Sequence, residues 1–167
     1  MTLGKFIRST TLCLTLGTLA TWVHAANPVT TTFAVTTTIS SVCVVSTAST
    51  GLTFATYDPT AGSDTLGTTT FKVQCSSGLS YTVGLSAGGS TTDTARTMSS
   101  GANRLNYSLY SDSGRATNWG ASTGALTGTG SGLTTENTIT VYGKIPKNQY
   151  TPGVGAYSDS ITATITY

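Results

Sequence analysis

An all-β domain, built as a β-sandwich, is what this sequence predicts, and three observations lead there. Short runs in which every second side chain is apolar recur along the chain, each closed by Gly, Pro, Asp or Ser. Threonine dominates beyond position 25, with serine and glycine next; a β-branched side chain whose hydroxyl keeps an exposed pleated face wettable suits strands. Beyond an N-terminal leader, no stretch keeps a helical period long enough to make a helix. Regularly placed Val, Leu, Ile, Phe and Tyr separate the chain from a disordered Ser/Thr linker, which combines low hydrophobicity with high net charge.

Residues 1–25 are read as a signal peptide. Lys5 and Arg8 precede an uncharged, largely apolar stretch from Thr11 to Trp22, and Val23 and Ala25 place small residues where a signal peptidase cuts. Cleavage is expected after Ala25, with Ala26 as the neighbouring alternative. The apolar stretch falls short of the roughly 20 residues a membrane span needs, so no membrane insertion is expected after removal of the leader. Cys13 follows Leu12, which is too bulky for a lipoprotein cleavage site, and is a passenger in the leader.

Two of the eight lysines and arginines, together with the single histidine, His24, leave with that segment, so six basic side chains balance six carboxylates in what remains. Binding nucleic acid or an anionic membrane through net charge loses its basis. The remaining chain has the size of one domain.

Strand signals then follow in order. Val29, Thr31, Phe33, Val35, Thr37 and Ile39 alternate first, then Ile39 to Val45, Leu52 to Tyr57 before the turn at Asp58-Pro59, and Thr69 to Cys75 before Ser76 to Gly78. Tyr81, Val83 and Leu85 precede a turn from Ala87 to Ser90. Leu105, Tyr107 and Leu109, then Ile139, Val141 and Ile145, make two more. The Gly/Thr/Ser tract from Gly120 to Thr135 reads as a surface loop with room for a short edge strand. A terminal strand carries Ile161, Ala163, Ile165 and Tyr167, alternating with threonines, with no partner strand after it. An unfinished sheet and a spare strand at 29–39 point to a subunit that completes its neighbour. Roughly six or seven short strands separated by turns describe a sandwich.

Two cysteines follow the leader, Cys43 and Cys75, and in an exported chain such a pair reads as a disulfide. A metal or redox site is disfavoured, because there is no CxxC spacing and no histidine to join them. No cofactor is expected. The same residues speak against an enzyme. Serine nucleophiles need an activating base, and none is evident. Paired carboxylates can hydrolyse glycosides, but Asp58, Asp64, Asp93, Asp112 and Asp159 sit beside Gly, Ser, Thr or Pro, where turn capping explains them better. Glu136 is the exception in context. Lys144 is the only strand lysine to consider for a cross-link to asparagine, and it lacks an evident buried setting.

The stretch Leu105-Asn106-Tyr107-Ser108-Leu109-Tyr110-Ser111-Asp112, followed by Trp119-Gly120, resembles the spore coat protein U domain family. Val141-Tyr142-Gly143-Lys144-Ile145-Pro146, then Gln149, Pro152-Gly153, Tyr157-Ser158-Asp159 and Thr164 to Tyr167, is similar to its C-terminal half. The cysteine pair, Gly51 to Asp58 and Tyr81 to Leu85 fit as well. The turn after Pro152 looks longer than usual, which predicts a local loop change. The resemblance implies a pilin-like subunit of the archaic chaperone-usher pathway, with an incomplete immunoglobulin-like sandwich that a donated strand completes. Its implied partners are a periplasmic pilus chaperone, an outer-membrane usher and neighbouring pilin subunits, identical or different. Its implied destination is a thin cell-surface pilus used in adhesion and biofilm formation.

On that reading residues 26–38 are a donor-strand arm and residues 39–167 the pilin-like domain. Val29, Thr31, Phe33 and Val35 are the donated side chains, with Phe33 and Val35 central. Ile161, Ala163, Ile165 and Tyr167 line the acceptor groove and the strand a chaperone contacts. Two other readings stay open: a secreted coat or matrix protein, and a single-domain adhesin whose Trp119, Tyr107, Tyr110 and Tyr142 stack on sugars. Residues 29–45 as one ordinary first strand of a complete domain is the competing account of the arm.

Overall fold

The computed structural model describes residues 27–167; the expected signal peptide lies outside the described residues. Eight strands follow in chain order: β1 (Cys43–Thr47), β2 (Thr65–Cys75), β3 (Ser80–Leu85), β4 (Arg96–Ser100), β5 (Asn103–Tyr110), β6 (Leu126–Thr129), β7 (Asn137–Ile145) and β8 (Ala163–Thr166). No helix occurs among the described residues. Residues 38–167 make one compact unit. Residues 27–37 have no regular secondary structure, and Val29, Phe33 and Val35 in them are exposed.

A five-stranded sheet has the order β1-β2-β7-β5-β4, and a three-stranded sheet the order β6-β3-β8. Every pairing is antiparallel. The alternation read from the sequence sets which side chains point inward. Phe71 and Val73 on β2, Tyr81, Val83 and Leu85 on β3, Leu105, Tyr107 and Leu109 on β5, and Ile139, Val141 and Ile145 on β7 fill the core between the sheets.

Trp119 is wholly buried and donates its indole N–H to the Val83 carbonyl at 2.8 Å. This satisfies the one polar group of a side chain that otherwise contributes only apolar area. Cys43 opens β1 directly opposite Cys75, which closes β2, and the two are joined in a disulfide. β1 buries little of its own surface, so this bond and the ladder to β2 hold it in place.

Three expectations need correction. Leu52 to Tyr57 alternates but is not a strand: its apolar side chains pack inward while its backbone finds no ladder. The alternating run at 29–39 likewise forms no strand in the structure. β4 was not expected, because Arg96-Thr97-Met98-Ser99-Ser100 carries a single apolar side chain. The tract from Gly120 to Thr135 does contain a short edge strand, β6, at the margin of the three-stranded sheet.

Candidate functional site: a groove open between two backbone edges

A groove of about 930 Å³ runs along one side of the sandwich. Well-packed interiors keep few voids larger than a water molecule, so this volume marks a side where the two sheets are not closed on each other. Its floor comes from the core itself, including Phe71, Leu85, Leu105, Leu109, Val141 and Ile145.

Its two walls differ in origin. One is β8 with its lead-in, through Tyr157, Asp159, Ile161 and Ala163. β8 pairs only with β3 and is the last strand of its sheet, so its outer row of N–H and C=O groups faces the groove side unpaired. The other wall is the segment 49–57. Leu52 and Phe54 lean over β2 and β7 at the one place where two glycines face each other, Gly67 opposite Gly143. A β-carbon at Gly143 would lie 2.7 Å from Phe54 Cζ and 2.9 Å from Leu52 Cδ1, so the missing side chains are what lets this wall seat. Phe54 meets the Tyr107 ring edge-on at 6.5 Å. At the far end of the wall, Tyr57 donates its hydroxyl to the Pro146 carbonyl and accepts from the Gln149 N–H. Among the described residues, no backbone hydrogen bond engages residues 52–56. Two unpaired backbone rows therefore flank one apolar trough.

One end of the trough is polar. Tyr107 donates its hydroxyl to Asp159 Oδ2 at 2.6 Å, and Asp159 Oδ1 accepts the N–H groups of Gly89 and Ser160. Burial, and then the bond to Asp159, push the Tyr107 hydroxyl well above the ordinary tyrosine range. Close by, the Arg96 guanidinium is wholly buried and donates to the carbonyls of Leu85, Ser86 and Trp119. Burial lowers its pKa, opposed by the nearby Tyr107, Asp93 and Asp159. It ties the start of β4 to the ends of β3 and of the Trp119 loop.

The sequence-predicted residues fall as follows. Ile161 and Ala163 line the groove; Ile165 packs against the core beyond it; Tyr167, at 57% exposure, lies in a separate shallow depression with Tyr81 and Gly128. Sequence reasoning missed the wall at 52–57 as a wall, and missed Asp159 and Arg96. For Asp159 a signal existed, since it shares the parity of Ile161 and Ala163 and so points the same way. For Arg96 there was none in a run of small polar residues.

The remaining carboxylates serve loops and strand margins. Asp58 accepts from Thr60, Asp112 from the Ala116 and Thr117 N–H groups, and Asp93 from the Ala121 N–H. Asp64 accepts from the Lys147 N–H, and Glu136, immediately before β7, pairs with Lys72 on β2. These bonds hold the carboxyls of Asp58, Asp112 and Glu136 below their usual range. The aromatics considered for sugar stacking are occupied too. Trp119, Tyr107 and Tyr110 are buried, and Arg115 sits over the Tyr142 ring at 5.6 Å. No group of potential metal ligands gathers among the described residues, and they contain no helix long and apolar enough to cross a membrane.

The pattern of the Spore Coat Protein U domain matches residues 29–164. The chain belongs to the Spore Coat Protein U domain family. The match takes in the groove, both of its walls up to Thr164, and all of the exposed run at 29–39. Among solved structures, a chain of the CsuC-CsuE chaperone-tip adhesion subunit pre-assembly complex from the archaic chaperone-usher Csu pili of Acinetobacter baumannii superposes with a TM-score of 0.56 at 18% identity. The likeness covers 78% of this chain and 41% of that one, so this chain spans well under half of its length. At that identity it establishes the all-β fold. Comparison with curated proteins finds no match.

Proposed function

We propose that this protein is a structural pilin subunit whose open sandwich is completed by a strand donated from a neighbour. The observation that carries this is the apolar groove flanked by two unpaired backbone rows, β8 on one side and residues 52–56 on the other. A strand laid into it would satisfy both rows while every second side chain fills the trough. Residues 29–35 offer such a strand: Val29, Phe33 and Val35 are exposed apolar side chains of one parity, a liability in any secreted monomer unless they are covered.

On this reading a periplasmic chaperone first supplies the missing strand along Ile161, Ala163 and Ile165. An outer-membrane usher then exchanges it for the arm of the next subunit. The product is a thin surface fibre serving adhesion and biofilm formation. The family membership and the disulfide, which suits an oxidising periplasm, support this route, as does the solved Csu complex, which joins a chaperone to a tip adhesion subunit. On this reading the role is structural, and Asp58, Asp64, Asp93 and Asp112 serve to hold loops.

The test is thermal unfolding of two forms, one beginning at residue 39 and one with residues 27–38 moved behind Tyr167 through a short linker. The relocated strand should turn an aggregating or marginal protein into a highly stable monomer. An armless form that is already stable and monomeric means a complete sandwich, and a secreted binding module becomes the better account.

A further inference from the structure

The groove contains its own ruler. An antiparallel strand beside β8 and its lead-in, which is open as far as the Ser158–Ser99 backbone bridge, would face it residue by residue, and a slip of one residue would turn the wrong face inward, so admissible registers differ by two. Along the inward parity β8 and its lead-in present Asp159, Ile161 and Ala163 to the groove, with Ile165 next: an ionised acceptor, a large aliphatic side chain, then the smallest one. The inward parity of the arm is not uniformly apolar either. It reads Val29, Thr31, Phe33, Val35, Thr37, so two hydroxyls must be accommodated, and a hydroxyl buried without a partner is destabilising.

Asp159 can take one of them. A carboxylate has about four acceptor sites, and three are used: Oδ1 by the N–H groups of Gly89 and Ser160, Oδ2 by the Tyr107 hydroxyl. The fourth, on Oδ2, lies at the polar end of the groove. Resting on the reading of the groove as the acceptor for the arm of a second copy of this chain, we propose that Thr37 of the incoming arm donates to Asp159 and so fixes the register, setting Val35 opposite Ile161 and Phe33 opposite Ala163.

That register puts the largest arm side chain against the smallest on β8. It leaves Thr31 beside Ile165, past the groove lining and toward solvent. Sliding the arm by two in one direction faces Val35 with the Asp159 carboxylate and crowds Phe33 against Ile161. Sliding it the other way faces Ile39 with the carboxylate and drops Phe33 beyond the groove. With Thr37 seated, residues 38–42 bridge to the donor's own β1, and Thr37 to Cys43 spans at most about 22 Å, which couples register to the spacing of adjacent subunits.

Disulfide trapping in polymers of the full mature chain reads the register directly, because a disulfide needs Cα atoms within about 7 Å. Val35→Cys with Ile161→Cys should give a covalent ladder on oxidation. Thr31→Cys with Ala163→Cys, and Thr37→Cys with Ile161→Cys, report the two slipped registers and should not. In parallel, Thr37→Val should speed dissociation of the fibre by about tenfold or more, as expected for losing a hydrogen bond to a charged group. Thr37→Ser should restore it, and Thr31→Val should leave it within about twofold, as expected for a hydroxyl left in water. A ladder from either slipped pair, or an unaltered Thr37→Val fibre, overturns the register while leaving strand donation intact. Polymers that none of the three pairs cross-links overturn strand donation by this arm as well.

Discussion

Reducing the bond between Cys43 and Cys75 should cost the fold far more than the modest burial of β1 suggests. The cysteines are 32 residues apart in sequence, and the chain-entropy relation for a closed loop of that length gives about 3.7 kcal/mol at 25 °C. For a domain of the size of residues 38–167, that corresponds to a fall of roughly 10–15 °C in Tm. The comparison is cleanest in the form with the arm relocated behind Tyr167, oxidised against reduced, because reduction leaves no cavity at the fully buried Cys75. Urea unfolding followed by Trp119 fluorescence reads it without interference, since the only other tryptophan, Trp22, precedes residue 27 and is left out of that form. A second effect belongs to β1 alone: with one ladder and an exposed outer face, it should open locally once reduced, and its amides should exchange well before those of β2. A loss smaller than about 1 kcal/mol, with β1 exchange unchanged, would refute the argument, as would finding both cysteines as free thiols in exported protein.

Other perturbations test the interior. Arg96→Met removes the donor shared by three buried carbonyls and should destabilise by about 3 kcal/mol or more in urea titration, through acceptors left unmet. Tyr107 has a folded-state pKa raised above its unfolded value, so its contribution is fully present below about pH 10 and is lost as pH rises beyond that. Stability measured against alkaline pH should fall in that window, and Tyr107→Phe should flatten the fall. Asp58, Asp112 and Glu136 have folded pKa values depressed below the unfolded ones. Their contribution is present above about pH 4 and declines as acidification passes through the folded values, a loss that chemical unfolding at pH 6 and pH 3 should register. Gly143→Ala pushes Phe54 and Leu52 off their seats and should cost about 1–3 kcal/mol; amide exchange across residues 52–57 should rise with it.

Periodicity reveals which face of a segment is apolar, and that is why β2, β3, β5 and β7 were legible. Each alternates cleanly and each finds neighbours. The same signal at Leu52 and Phe54 correctly marked buried side chains, yet no ladder forms there, because alternation carries no information about whether an edge lies alongside. β4 failed for the opposite reason. It has its ladder to β5, but its most buried side chain is the charge of Arg96, and only the carbonyls at the ends of β3 and of the Trp119 loop, remote in sequence, make that burial tolerable. At the groove, Ile161 and Ala163 were readable from parity alone. Its second wall was not, since it depends on Gly67 and Gly143 meeting across β2 and β7, a juxtaposition that exists only once the register is known.

The position of the disulfide also determines where tension travels. A pull on the segment before Cys43 would reach β1 first, a strand of five residues with one partner, which alone would peel away. The cross-link at its first residue shunts that load covalently into the end of β2. β2 is the longest strand and is bonded on both sides, so force applied along it is resisted by many hydrogen bonds in shear at once. In a fibre drawn taut, the linkage would keep each subunit from unravelling at the point where its neighbour holds it.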